Sequence, residues 1–225
     1  MSIPPDIAAN RAAILRTIAD NAKAADRDPQ SVTLVAVSKR QPEARVEAAL
    51  AAGQRVFGEN RVQEAQDRWA FRRARINDLE LRLVGGLQSN KAADAAALFD
   101  VIETVDRPKL AHALADAVQA LGRAPRFYVQ VNTGEEPQKS GVPPLEAEVF
   151  VRTVRDDYGL PVEGLMCIPP INETPATHFA LLADLAERCG LDRLSMGMSG
   201  DYDRAVRFGA TSVRVGSALF GPRPA

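Results

Sequence analysis

The chain has 225 residues, 46% of them hydrophobic and 25% charged, with 28 Lys+Arg against 29 Asp+Glu and a formal net charge of -1. That is enough apolar material for a sizeable core, and the balanced charge excludes a global pull towards nucleic acid or anionic membrane. The two cysteines, Cys167 and Cys189, have no metal-ligand spacing and only His112 and His178 to assist them, which argues against a disulfide framework or a structural zinc site.

Residues 1–6 do not pair a basic region with an apolar stretch, and no run approaches the length of a membrane span. A cytoplasmic, reduced protein is expected, with Cys167 a small buried hydrophobe in its apolar run. Ile7, Ile14, Leu15 and Ile18 share one stripe of a helical pattern that Asp28-Pro29 ends. Residues 32–39 follow, a short run rich in β-branched residues that predicts a strand buried on both faces, as in a parallel sheet. From there the chain alternates. A helix over 42–52, with Pro42 suited to its first turn and Gly53 to its C-terminal cap, leads to a strand at 55–58 and a helix at 60–73. A strand over 80–84 runs into Gly85-Gly86, and Ser89 is the expected cap of an alanine-rich helix reaching Phe99. Next come a strand at 100–103, a helix at 107–121 stopped by Gly122, and a strand at 126–131 with a glycine-bearing loop over 132–141. A helix from near Pro143-Pro144 precedes a strand at 162–168, a helix at 175–188 and a strand at 194–197. A helix at 201–208, a strand at 212–215 and a helical turn at 216–220 complete the pattern. Eight strands, each followed by a helix, predict an α/β fold: a single (β/α)8 TIM barrel over residues 1–225 with an extra N-terminal helix. An open doubly wound sheet is the alternative.

The first strand stops at Lys39, and α/β folds gather their ligand chemistry outside the carboxyl ends of the strands. Half-buried there, the amine would be freed by desolvation to attack a carbonyl; the plainer reading is a lysine reaching back into water. Two glycine-bearing turns, residues 196–201 and 215–217, follow strands seven and eight, where barrels of this type bind phosphate. Glycine lets backbone N–H groups approach an anion, and Ser199 and Ser217 add hydroxyl donors. Arg214 alternates with Val213 and Val215 and so should face the lumen, either towards a ligand or paired with a carboxylate such as Glu59 or Glu103. An amine, an anion cradle and an arginine between them suit an aldehyde, a phosphate and a ring acceptor, the three features of pyridoxal 5'-phosphate (PLP). A Schiff-base aldolase acting on a sugar phosphate shares the lysine and the cradle but gives Arg214 no ring to face. A nucleic-acid surface built on Arg68, Arg72, Arg73 and Arg75 competes with a plain solvated helix face.

Residues 36–39 (AVSK), 57–64 (FGENRVQE), 87–91 (LQSNK), 194–199 (LSMGMS) and 213–221 (VRVGSALFG) resemble the pyridoxal-phosphate homeostasis proteins, in the family's order and across nearly the whole chain. The resemblance implies a barrel related to the N-terminal domain of alanine racemase, with Lys39 carrying the cofactor as a Schiff base. It also implies Ser199, Gly216 and Ser217 at the phosphate, Arg214 facing the pyridine nitrogen, and Asn60 beside the cofactor in the loop after strand two. No residue is implied to be catalytic and no metal is implied. The family is described as a carrier and regulator of vitamin B6 pools, so the implied partners are PLP and PLP-dependent apo-enzymes, for a monomer that binds neither nucleic acid nor membrane. Two positions depart from the pattern: Gly86 stands where the family usually has histidine, and Gly200 where aspartate is common.

A racemase or decarboxylase on the related fold needs a second acid/base and generally a second domain. Here the barrel uses almost the whole chain, and Tyr128, Tyr158 and Tyr202 show no arrangement as a base. Delivery therefore fits better than turnover, with weak side reactions on amino acids allowed by the chemistry.

Overall fold

The computed structural model describes residues 6–222, so the segment read above for a signal lies, apart from Asp6, outside the described residues. Eight parallel strands close into a barrel in simple sequence order, β1 to β8, with β8 pairing β1. The chain runs α1 (Ile7–Lys23), β1 (Thr33–Val37), α2 (Glu43–Ala51), β2 (Val56–Glu59), α3 (Val62–Arg73), β3 (Glu80–Leu83), α4 (Ala92–Leu98), β4 (Val101–Val105) and α5 (Pro108–Leu121). It continues through β5 (Arg126–Val131), α6 (Ala147–Asp156), β6 (Val162–Cys167), α7 (Pro175–Arg188), β7 (Arg193–Met198), α8 (Tyr202–Arg207), β8 (Ser212–Val215) and α9 (Ser217–Phe220). The closed barrel, not the open sheet, is what the alternation encodes. No described helix is long and apolar enough to cross a membrane.

The period-two alternation of each strand divides it between two environments. Leu34, Ala36, Phe57, Leu81, Ile102, Val129, Leu165, Met196, Val213 and Val215 face outward and pack with the helices into the main core. Val101, Tyr128 and Met166 face inward and form a separate small cluster with Ile168. Val35, Val37 and Val84 also reach into the lumen beside Gly58, whereas Arg82, Glu103, Ser195 and Arg214 make part of it polar and position the site. α1 packs on α2, α8 and α9 across the β8–β1 seam, where Asn10 Nδ2 donates to Leu219 O at 2.9 Å.

Three local expectations need correction. β1 ends at Val37, because the Gln41 N–H bonds back to Ser38 O at 3.0 Å and closes a turn; Lys39 sits in that turn, not in the strand. Ser89 does not cap a helix: a 3₁₀ turn over Ser89–Lys91 intervenes, α4 starts at Ala92, and no side chain caps it. α3 starts at Val62, which leaves Asn60 in the β2–α3 loop.

The amino-terminal rim of the barrel is tied by carboxylates. Glu80 accepts from Arg82 Nε and Arg126 Nη2, each at 2.6 Å, and Asp100 accepts from the Leu81 N–H at 2.9 Å and from Arg73 and Arg123. Burial alone would raise both carboxyls, but the arginines at Glu80, and the Arg73 and Leu81 donors at Asp100, outweigh it and hold both below their ordinary values. A carboxyl lower in the folded than in the unfolded chain adds stability above its unfolded value and loses it as pH falls through the folded one. The urea midpoint should therefore drop below pH 4.5, and Glu80→Gln should flatten that fall. A midpoint constant from pH 6 to pH 3 would contradict the assignment.

Candidate functional site

A cleft of about 380 Å³ opens at the carboxyl ends of the strands. Lys39, Asn60, Ser199, Arg214, Gly216 and Ser217 all line it, so the structure brings together the six residues that the resemblance assigns to the cofactor. Lys39 enters from the β1 turn and is half-buried. Beside it across the β8–β1 seam, the β7 and β8 loops are joined through one hydroxyl: the N–H groups of Gly216 and Ala218 both donate to Ser199 Oγ, at 3.2 and 3.3 Å. Two backbone donors thus converge on one oxygen, the geometry an anion oxygen uses. Gly197 makes this turn feasible, with φ of 90° and an added Cβ only 2.5 Å from the Ala205 methyl.

Arg214 rises from β8 into the floor of the cleft and is only 4% exposed. Its Nη1 donates to Ser195 Oγ at 2.6 Å and its Nη2 to Cys167 O at 2.7 Å. Ser195 Oγ donates in turn to Glu103 Oε2 at 2.6 Å, and Glu103 Oε1 accepts from Arg82 at 3.2 Å. A polar chain therefore runs through the lumen from Arg82 to the cleft. Arg214 Nη1 lies 4.0 Å from Glu103, so the guanidinium both lines the cleft and answers a buried carboxylate. Burial lowers the Arg82 guanidinium, but Glu103 and then Glu80 overcome this and hold it above its ordinary value.

Glu59 is not in the lumen. It shares its strand face with Phe57, points at α3, and accepts from Ser38 Oγ at 2.6 Å, Trp69 Nε1 at 3.0 Å and Arg68 Nη1 at 3.1 Å. The arginine cluster of α3 is neither a basic patch nor a freely solvated face. Arg72 pairs with Glu43 and Glu47, Arg73 pairs with Asp100, and Arg75 stacks 3.8 Å over the Phe71 ring. Cys167 is the expected buried thiol, pushed up to about 12 by desolvation.

The sequence profile described as alanine racemase, N-terminal domain, matches residues 14–224. A pyridoxal phosphate homeostasis protein of Pseudomonas aeruginosa is 43% identical over 227 residues, covering 96% of each chain. Its Escherichia coli counterpart is 36% identical over 227 residues, covering 97% of each. The chain belongs to the pyridoxal phosphate homeostasis protein family. PipY of Synechococcus elongatus, solved with PLP bound, superposes with a TM-score of 0.77 at 40% identity, over 91% of this chain and 100% of PipY. An alanine racemase of Clostridium difficile shares the fold alone, at 17% identity and a TM-score of 0.69, and the chain covers 57% of its length.

In this family member the cleft extends sideways. A second cavity of about 300 Å³ shares Asn60, Val84 and Ile168 with it and adds Gly86, Gln130 and Lys139. Gly86 is where the family resemblance puts a histidine; a Cβ there would meet only Ser140 Oγ, at 3.9 Å. Sequence reasoning named Glu103 as a lumen carboxylate for Arg214 but missed Ser195, which links the two, and Arg82 behind them. Counting alternation along β4 and β7 finds Glu103 and Ser195 on the lumen face.

Proposed function

We propose that this family member binds PLP through Lys39 and serves as a carrier or regulator of the PLP supply. The observation that carries the reading is that one cleft gathers a lysine amine, an arginine and a two-loop anion cradle. The relatives named for PLP homeostasis, and PipY with PLP bound, support it. PLP supplies an aldehyde that an amine captures as a Schiff base with loss of water, and a ring that draws electrons.

Every other part of the task belongs to this chain. Lys39 Nζ supplies the amine. Ser199, Ser217 and the N–H groups of Gly216 and Ala218 would hold the phosphate; the two N–H donors meet at Ser199 Oγ. Asn60 lines the cleft and would lie beside the ring. Arg214 offers only donors, so it suits an unprotonated ring nitrogen and keeps the ring a weak electron sink. Among the described residues no tyrosine lines the cleft, and Gly86 brings no imidazole to its side cavity. A site with a covalent anchor and neither a tyrosine nor a histidine opposite it suits storage and delivery. We take the protein to be a cytoplasmic, single-domain monomer that supplies PLP-dependent apo-enzymes.

The test is a visible spectrum before and after borohydride, with mass mapping of the modified peptide. The expected result is a yellow protein whose label falls on Lys39. A colourless protein that takes up no added PLP would refute the binding. Steady turnover of an amino acid at an enzyme-like rate would refute the carrier role.

A further inference from the structure

Behind Lys39, on the side away from the cleft, one guanidinium holds the turn that carries it. Arg68 Nη1 donates to Ser38 O at 2.6 Å and Arg68 Nη2 to Gln41 O at 2.8 Å, so the fork spans both ends of the 38–41 turn. Nε donates to Glu43 at the start of α2, at 2.8 Å. The fork is itself seated: Nη1 also meets Glu59 Oε1 at 3.1 Å, and the same oxygen takes Ser38 Oγ and Trp69 Nε1. Glu59 is completely buried, and the Arg68 side chain is 14% exposed. Two cleft residues hang on this bracket, Lys39 from the turn and Asn60 as the residue directly after Glu59. The turn also needs holding, because Arg40 sits at φ of 57°, a left-handed conformation a side-chain-bearing residue rarely adopts.

We infer that Arg68, seated on Glu59, is the positioning residue for the Lys39 amine, a role that rests on the PLP reading above. An ion pair with Glu59 alone needs only a positive charge. Holding two carbonyls at once needs a planar fork, which lysine lacks. The two demands are therefore separable by substitution.

Arg68→Met should slow borohydride-trapped labelling of Lys39 by ~10- to 100-fold, the scale expected when a reacting group is misplaced by about 1 Å. Arg68→Lys restores a cation opposite Glu59 and should recover most of the melting temperature, yet still label slowly. Without any cofactor, both variants should speed amide hydrogen exchange at Gln41, whose N–H closes the turn on Ser38 O. Arg73→Met, on the same helix, breaks the pair with Asp100 and serves as the stability control: it should lower the melting temperature and leave the labelling rate unchanged. Wild-type labelling rates in Arg68→Lys would show that charge alone suffices and overturn the positioning role. Equal slowing in Arg73→Met would reduce it to general loosening. A wild-type chain that takes no label at Lys39 would instead refute the PLP reading, and this inference with it.

Discussion

Arg82→Met is expected to lower the unfolding free energy by about 3 kcal/mol, the low end of the cost of breaking a buried ion pair, because Glu103 loses its nearest and only hydrogen-bonded cation. Arg82 lies between Glu80 at 2.6 Å and Glu103 at 3.2 Å, its side chain 5% exposed and that of Glu103 completely buried. Without it, Glu103 keeps the Ser195 hydroxyl and an arginine 4.0 Å away. For a chain of this size the loss corresponds to a fall in melting temperature on the order of 10 °C. Adding Glu103→Gln to Arg82→Met removes the stranded charge while leaving an acceptor for Ser195, so the double variant should be more stable than Arg82→Met alone. Thermal melts of the three proteins decide the matter. An Arg82→Met protein within about 1 kcal/mol of wild type would mean that water reaches Glu103 and the lumen is not sealed.

The sealed lumen explains how a barrel interior commonly filled with branched aliphatics holds an arginine at its mouth. Arg214 is anchored from below by Ser195, itself held by Glu103, which Arg82 compensates. Each link removes an unpaired buried group, and the last one leaves the guanidinium at the cleft floor.

This arrangement was only partly legible in the sequence. Lys39, the Ser199 turn and Gly216-Ser217 are legible because each follows a strand end, and in a closed parallel barrel all strand ends meet at one rim. Arg214 is legible because two valines flank it and fix its face. Glu59 misleads when read without its neighbours: Phe57 packs outward, so two residues on Glu59 must do the same. Arg68 is not legible at all. The two turn carbonyls it bridges lie 27 and 30 residues away, and every residue type presents the same carbonyl. Ser89 fails for a related reason, since a serine ahead of an alanine run also suits the 3₁₀ turn that forms there.

Lys39→Ala should leave the fold nearly intact and abolish the specific linkage, whereas Arg214→Ala should damage both. Lys39 is half-buried in an open cleft and lies outside the strand ladder and the packed core, so its truncation is expected to cost no more than about 1 kcal/mol. Its function rests on a positioned amine. With that amine gone, borohydride trapping depends on unpositioned lysines and should slow by ~100-fold or more. The cradle at Ser199 and Ser217 remains, so equilibrium dialysis should still detect reversible, phosphate-dependent binding of PLP. Arg214 is the opposite case: its loss strips a buried carbonyl and a buried hydroxyl of a donor and Glu103 of a nearby positive charge, for about 2–4 kcal/mol. Paired melts and labelling time courses separate the two. If Lys39→Ala labels at the wild-type rate, the amine that matters is another one, and the cleft has been assigned to the wrong lysine.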